Sequence, residues 1–85
     1  MKKVINIIHA KKLLLEREVL VYKPFNEQVT YLALKDEKRI IKFNNNVRYN
    51  ISFEELEEIL DNNNVYIFEK DNNVEINQEF KKLIQ

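Results

Sequence analysis

Apolar residues along the first sixteen positions recur at a helical spacing. On a wheel of 100° per residue, Val4, Ile7, Ile8, Leu14 and Leu15 fall within one stripe about 120° wide. This predicts a helix over residues 4–16 with that stripe facing the core. Ile5, His9 and Leu13 lie together on the roughly opposite side, beside Glu16, and form a second, thinner strip. Such a strip on an otherwise solvated helix is a candidate contact with another subunit.

Beyond residue 18 the period changes from 3.6 to 2. Residues 19–25 are rich in Val, Tyr and Phe, and Pro24 near their end places them near a sheet edge. Residues 29–34, 39–44 and 47–51 follow as short alternating runs joined by short polar turns, the pattern of an antiparallel meander. Ile51-Ser52-Phe53-Glu54-Glu55-Leu56 then marks a helix start: Ser52 is placed to cap, Glu55 to return the bond, and Ile51 and Leu56 to close a hydrophobic staple. The helix is predicted over residues 53–61, ended by the asparagines at 62–64. Strand character resumes at 65–69 and again at 74–76, and Asn77 is placed to cap a last short helix that gathers Ile76, Phe80, Leu83 and Ile84 on one face. The expected fold class is therefore α+β, in one domain spanning residues 1–85. It comprises an N-terminal helix, a mainly antiparallel sheet of four to six short strands, a second helix near 53–61 and a short C-terminal helix.

Composition narrows the chemistry. The 85 residues include no Cys, no Gly and one His, and Ser52 and Thr30 are the only aliphatic hydroxyls. Thiolate nucleophiles, cysteine zinc sites, glycine-rich phosphate loops and nucleophile elbows are thereby removed. Asn, Lys and Ile, whose codons are A- and T-rich, account for 12, 11 and 10 residues, a bias expected of a low-GC bacterium or of a virus or mobile element living in one. The asparagine runs follow from this bias, and Asn is also the residue best able to replace Gly at left-handed turn positions. Basic and acidic side chains balance at 14 each, so no net charge draws the chain toward nucleic acid or an anionic membrane. Residues 1–42 nevertheless carry 10 basic and 5 acidic groups and residues 43–85 carry 4 and 9, leaving the halves at +5 and −5. No apolar run approaches the ~20 residues of a membrane span, and Asn6, His9, Lys11 and Lys12 interrupt the N-terminal stretch too early for a secretory signal. The expectation is a soluble, cytoplasmic protein.

Few residues are arranged for catalysis. His9 lacks a nearby hydroxyl, and Glu16, the carboxylate on its side of the helix, is two turns away. Glu54 and Glu58 stand one turn apart on the second helix, a pairing able to bind Mg²⁺, but Glu54 and Glu55 also serve the helix N-terminus. No enzyme activity, metal or other cofactor is expected. Binding has better candidates: Tyr22, Lys23, Tyr31, Arg39, Lys42, Arg48 and Tyr49 interleave cations and aromatics along the strands. Such residues suit an anionic ligand, an acidic protein surface or single-stranded nucleic acid.

The order of these elements also carries a resemblance. Ala10, Lys11, Leu14 and Leu15 precede a strand through Lys23, and Ile51, Ser52, Glu54, Glu55 and Leu56 precede Val65, Tyr66 and Ile67. Over residues 8–69 this looks like small phage proteins that counter the Thoeris defence system by sequestering its cyclic-nucleotide signal. Arg17 and Glu18 stand where that family tends to show Gly-Lys, and Pro24 and Phe25 where it shows Trp, so no binding residue is carried over. Taken with the missing catalytic groups and the candidate subunit contact, the resemblance leads to the expectation of a non-catalytic phage or mobile-element protein, a homo-oligomer, that blocks or sequesters a host defence component, either a protein surface or a nucleotide signal. A module for single-stranded nucleic acid is the alternative.

Overall fold

Asn6 sets the beginning of the first helix. Its backbone is extended, and its side-chain oxygen accepts the backbone N–H of His9 at 2.9 Å, satisfying a donor that the helix leaves open. The computed structural model describes residues 2–68. Within them run α1 (Ile7–Leu15), β1 (Leu20–Tyr22), β2 (Thr30–Leu34), β3 (Ile40–Asn44), β4 (Val47–Ile51), α2 (Phe53–Asn62) and β5 (Tyr66–Ile67). The five strands form one antiparallel sheet in the order β4-β3-β2-β1-β5. The fold is α+β. The strand expected at 74–76 and the C-terminal helix lie outside the described residues. Among the described residues, no helix is long and apolar enough to cross a membrane.

Because α1 starts at Ile7, the stripe predicted from residue 4 is corrected. Val4 is extended, and its N–H donates to the Val65 carbonyl at 2.7 Å, beside the bridge between Lys3 and Tyr66. The buried face of α1 consists of Ala10 and Leu14, flanked by the partly buried Ile7 and Leu13. Ile8 and Leu15 point away from it, 76% and 66% exposed. A wheel of large apolar residues alone passes over the small Ala10, which is fully buried beside Leu14.

Each connection uses Asn or another non-glycine residue where positive φ is required. α1 ends in a Schellman motif: Glu18 N–H donates to the Leu13 carbonyl and Arg17 N–H to the Leu14 carbonyl, with Arg17 at φ 67°. Pro24 begins a turn closed by Glu27 N–H to the Pro24 carbonyl, with Asn26 at φ 60°, and so cuts the first strand to three residues. Asn45 and Asn46, at φ 50° and 62°, form the two-residue loop between β3 and β4, whose twist matches that of the flanking strands.

Both helices cover the same face of the sheet. There Ala10, Leu14 and Leu56 pack on Leu20, Leu32, Ile40 and Ile51, with Val4 and Val65 closing the cluster. The opposite face carries a second cluster, Val21, Tyr31, Ala33, Phe43 and Phe68, to which neither helix contributes a residue. Thr30 is the one buried polar side chain among the described residues. Its hydroxyl donates to the Gln28 carbonyl and accepts from the Asn44 side-chain amide, tying β2 to β3.

Candidate functional site

The open surface of the sheet is built at its β4 edge. The tight Asn45-Asn46 turn fixes the register that sets Lys42 opposite Tyr49 and Ile40 opposite Ile51. Residues directly opposite share a face, so Lys42 and Tyr49 stand side by side on the helix-bearing face, the Lys42 ammonium 5.6 Å from the centre of the Tyr49 ring. Four of the five β4 residues are exposed, and Tyr49 and Val47 each leave about half their surface in solvent.

Ser52 then turns the chain back over these strands. Its hydroxyl accepts the Glu55 N–H at 3.2 Å and its carbonyl accepts the Leu56 N–H at 3.1 Å, while Glu54 and Glu55 favour the positive end of the helix. Leu56, fully buried, anchors α2 on the core. The helix ends where asparagine side chains take over its last carbonyls: Asn62 donates to Glu58 and Asn63 to Ile59, at 2.9 and 3.1 Å. The second asparagine cluster thus acts as a helix stop.

Between α2 and the β3–β4 hairpin lies a cleft of about 250 Å³ lined by Lys42, Ile51, Glu55, Glu58, Ile59, Asn62 and Asn63. It is smaller than the pocket a drug-sized molecule needs. Two carboxylates and two amides face one ammonium, a lining suited to polar and cationic groups of a partner surface and poorly suited to a multiply charged anion. Among the described residues, no group of three or more His, Asp or Glu side chains is placed to hold a metal ion.

Of the seven predicted binding residues, Lys42 and Tyr49 come together on the helix-bearing face. Tyr22 and Tyr31 are corrected from ligand platforms to core residues on opposite faces: Tyr22 belongs to the helix-side cluster, and Tyr31 meets Phe68 edge-on at 5.3 Å in the other. Burial pushes the Tyr22 hydroxyl up to about 12, the nearby Glu27 carboxylate adds to the rise, and a hydrogen bond with Thr30 works against it. Burial likewise raises Tyr31. Lys23 is exposed just beyond β1. Arg39 is engaged locally, its guanidinium 2.9 and 2.7 Å from one Asp36 oxygen, while the other Asp36 oxygen accepts the Lys38 and Arg39 N–H groups. The bond from Lys38 N–H, followed by the Arg39 bond, holds the Asp36 carboxyl below its usual range. Arg48 pairs with Phe43 and so belongs to the face away from Lys42.

The predicted subunit contact is also redrawn. Ile5 is exposed, but Leu13 packs against the core and His9 is engaged in local structure, its Nδ1 accepting the Ile5 N–H at 3.1 Å. The exposed apolar positions of α1 are Ile8 and Leu15. Glu55, Glu58 and Asn62 were not expected beside Lys42; the signal for them was the cap at Ser52, which requires α2 to fold straight back from the end of β4. Comparison of the chain with protein-family models, with curated proteins and with solved structures finds no match.

Proposed function

We propose that this chain is a non-catalytic binding protein that acts by occupancy, covering a surface of a partner protein with the β4 edge and its adjoining cleft. The observation that carries this reading is β4 itself: an edge strand among the described residues, with four exposed residues, presenting Val47 and Tyr49 on the same side as Lys42. An edge strand supports association through its backbone, and half-exposed Tyr beside a cation is the composition of an interface anchor. The lining of the cleft favours a protein surface over an anionic nucleotide, because Glu55 and Glu58 offset Lys42, and Tyr22 and Tyr31 are committed to the core. The A- and T-rich codon bias and the resemblance to signal-sequestering phage proteins support a mobile-element setting, with a cytoplasmic host defence component as the partner.

The test is a paired capture from a low-GC bacterial lysate with wild type, Tyr49→Ala and Val47→Asp as baits. A protein retained by wild type and lost from both variants is the expected result, since truncating an interface anchor weakens binding about tenfold or more. Identical captures by all three baits would remove β4 as the contact. A melting shift of wild type with any cyclic nucleotide would instead favour the sequestration mechanism.

A further inference from the structure

The outer surface of the helical layer is separate from the β4 cleft and has its own chemistry. Ile8 and Leu15 lie seven residues apart on one side of α1, and both project into solvent, as does Ile5 just ahead of the helix at 80% exposure. Lys11 and Lys12 sit between them, and α1 contains no acidic residue. Lys11 lies over the Phe53 ring of α2, 5.2 Å from its centre, which places α2 alongside this side of α1. The exposed outer side of α2 carries Glu54, Glu57 and Asp61 at helical spacing, and α2 contains no basic residue. One fold thus displays an apolar, cationic helix face beside an anionic one.

We propose that this layer docks on a second copy of the chain across a two-fold axis. Ile8 and Leu15 of the two copies meet near the axis, and Lys11 and Lys12 of each copy face Glu57 and Asp61 of α2 in the other. Ile8 and Leu15 on α1, with Ile5 just before it, are large aliphatic side chains each at least 66% exposed, and an apolar strip of this kind rimmed by charged residues marks an interaction site. Twofold pairing covers them with like residues while matching each cationic face to an anionic one. The same acidic helix argues against an anionic lipid surface as the occupant, since α2 would be brought against it with α1.

Ile8, Leu15, Lys11, Lys12, Glu57 and Asp61 all lie outside the cleft, so this contact is independent of the proposed partner at β4. Sedimentation of the full chain between about 10 and 500 µM reads it, at about 0.05 M and about 0.5 M salt. Wild type is expected to move from 10.3 kDa toward twice that mass with concentration, and to dissociate more readily at high salt. Ile8→Glu, at an exposed site, should abolish the dimer without altering the circular dichroism. Lys11→Glu with Lys12→Glu makes both helix faces acidic, and Glu57→Lys with Asp61→Lys makes both basic. Each double variant alone should be monomeric, and an equal mixture should restore the dimer, because both contacts of the two-fold are then complementary. A wild type that stays at 10.3 kDa throughout, a dimer indifferent to Ile8→Glu, or a mixture that fails to reassociate would each overturn the proposal. So would a monomer that co-sediments with phosphatidylserine vesicles through Ile8.

Discussion

Arg17 is the position at which the absence of glycine leaves the clearest energetic trace. It is the residue after the cap of α1, at φ 67°, and both Schellman hydrogen bonds depend on the backbone holding that angle. A residue with a Cβ pays ~1–2 kcal/mol to adopt the left-handed region. Glycine relieves that strain, but it costs ~0.5–1 kcal/mol in extra freedom of the unfolded chain. Arg17→Gly should therefore stabilise the protein by a net ~0.5–1 kcal/mol. The Arg17 side chain is exposed, so its loss subtracts little. For a domain of this size the gain corresponds to a rise in Tm of roughly 2–8 °C, read by thermal melting and by a urea midpoint that shifts with unchanged slope. Arg17→Ala, which keeps a Cβ, should leave Tm within about 2 °C, and Arg17→Val should lower it because branching worsens the clash. An Arg17→Gly protein that melts at or below wild type, with the Val variant unaffected, would refute the assignment of strain to this residue.

Three further outcomes follow from the packing and the caps. Ser52→Ala removes the acceptor of the Glu55 N–H and should lower stability by ~1 kcal/mol, whereas Ser52→Asp should retain it; equal melting of all three proteins would deny the cap its role. Leu14→Ala empties a fully buried position between α1 and the sheet and should cost ~2–5 kcal/mol in urea unfolding, against less than about 0.5 kcal/mol for the exposed Leu15→Ala; a reversed order would return the helix to the orientation read from its large residues alone. Tyr22 keeps its proton more tightly when folded, with its hydroxyl pushed to about 12 from an ordinary value of 10.0. Its contribution is therefore present below pH 10 and lost as the pH rises from about 10 to 12, on the order of 2 kcal/mol, and Tyr22→Phe should flatten that alkaline fall in stability; a Phe variant with the same alkaline limb would contradict it.

The meander and α2 were legible because their signals are local. Alternation over 29–34, 39–44 and 47–51 and the Ser52 cap each lie within six residues, and β2, β3, β4 and α2 fall where they predict. The orientation of α1 was only partly legible. Leu14 and Ile7 of the predicted stripe do face the core, but Ile8 and Leu15 are exposed, because the buried side is centred on the small Ala10 together with Leu14, and Val4 leaves the helix to bond Val65. Which of the candidate binding residues share a face was not legible either. Cations and aromatics were grouped by type, but a strand divides its neighbours between two faces, and the division is fixed by register. Pairing Val21 with Tyr31 and Tyr22 with Thr30 sends the two tyrosines into different clusters, while pairing Lys42 with Tyr49 keeps those two together.

The charge asymmetry of the sequence acquires a location through this topology. Because α2 returns over the hairpin that precedes it, acidic residues from the second half of the chain lie above Lys42 from the first, and part of the opposition is used inside the cleft. The remainder is displayed on the outside of the helical layer, where Lys11 of α1 reaches over Phe53 of α2 and α2 carries exposed Glu54, Glu57 and Asp61. Two neighbouring helices of opposite charge attract within one molecule, but only along the line where they touch. The faces turned to solvent stay hydrated and open to a partner, and a two-fold copy matches both at once. The cleft side of α2 holds Glu55 and Glu58, and its outer side holds Glu54, Glu57 and Asp61. One helix can thus serve a partner at the sheet edge and a second copy on its back, so losing either contact by substitution should leave the other intact.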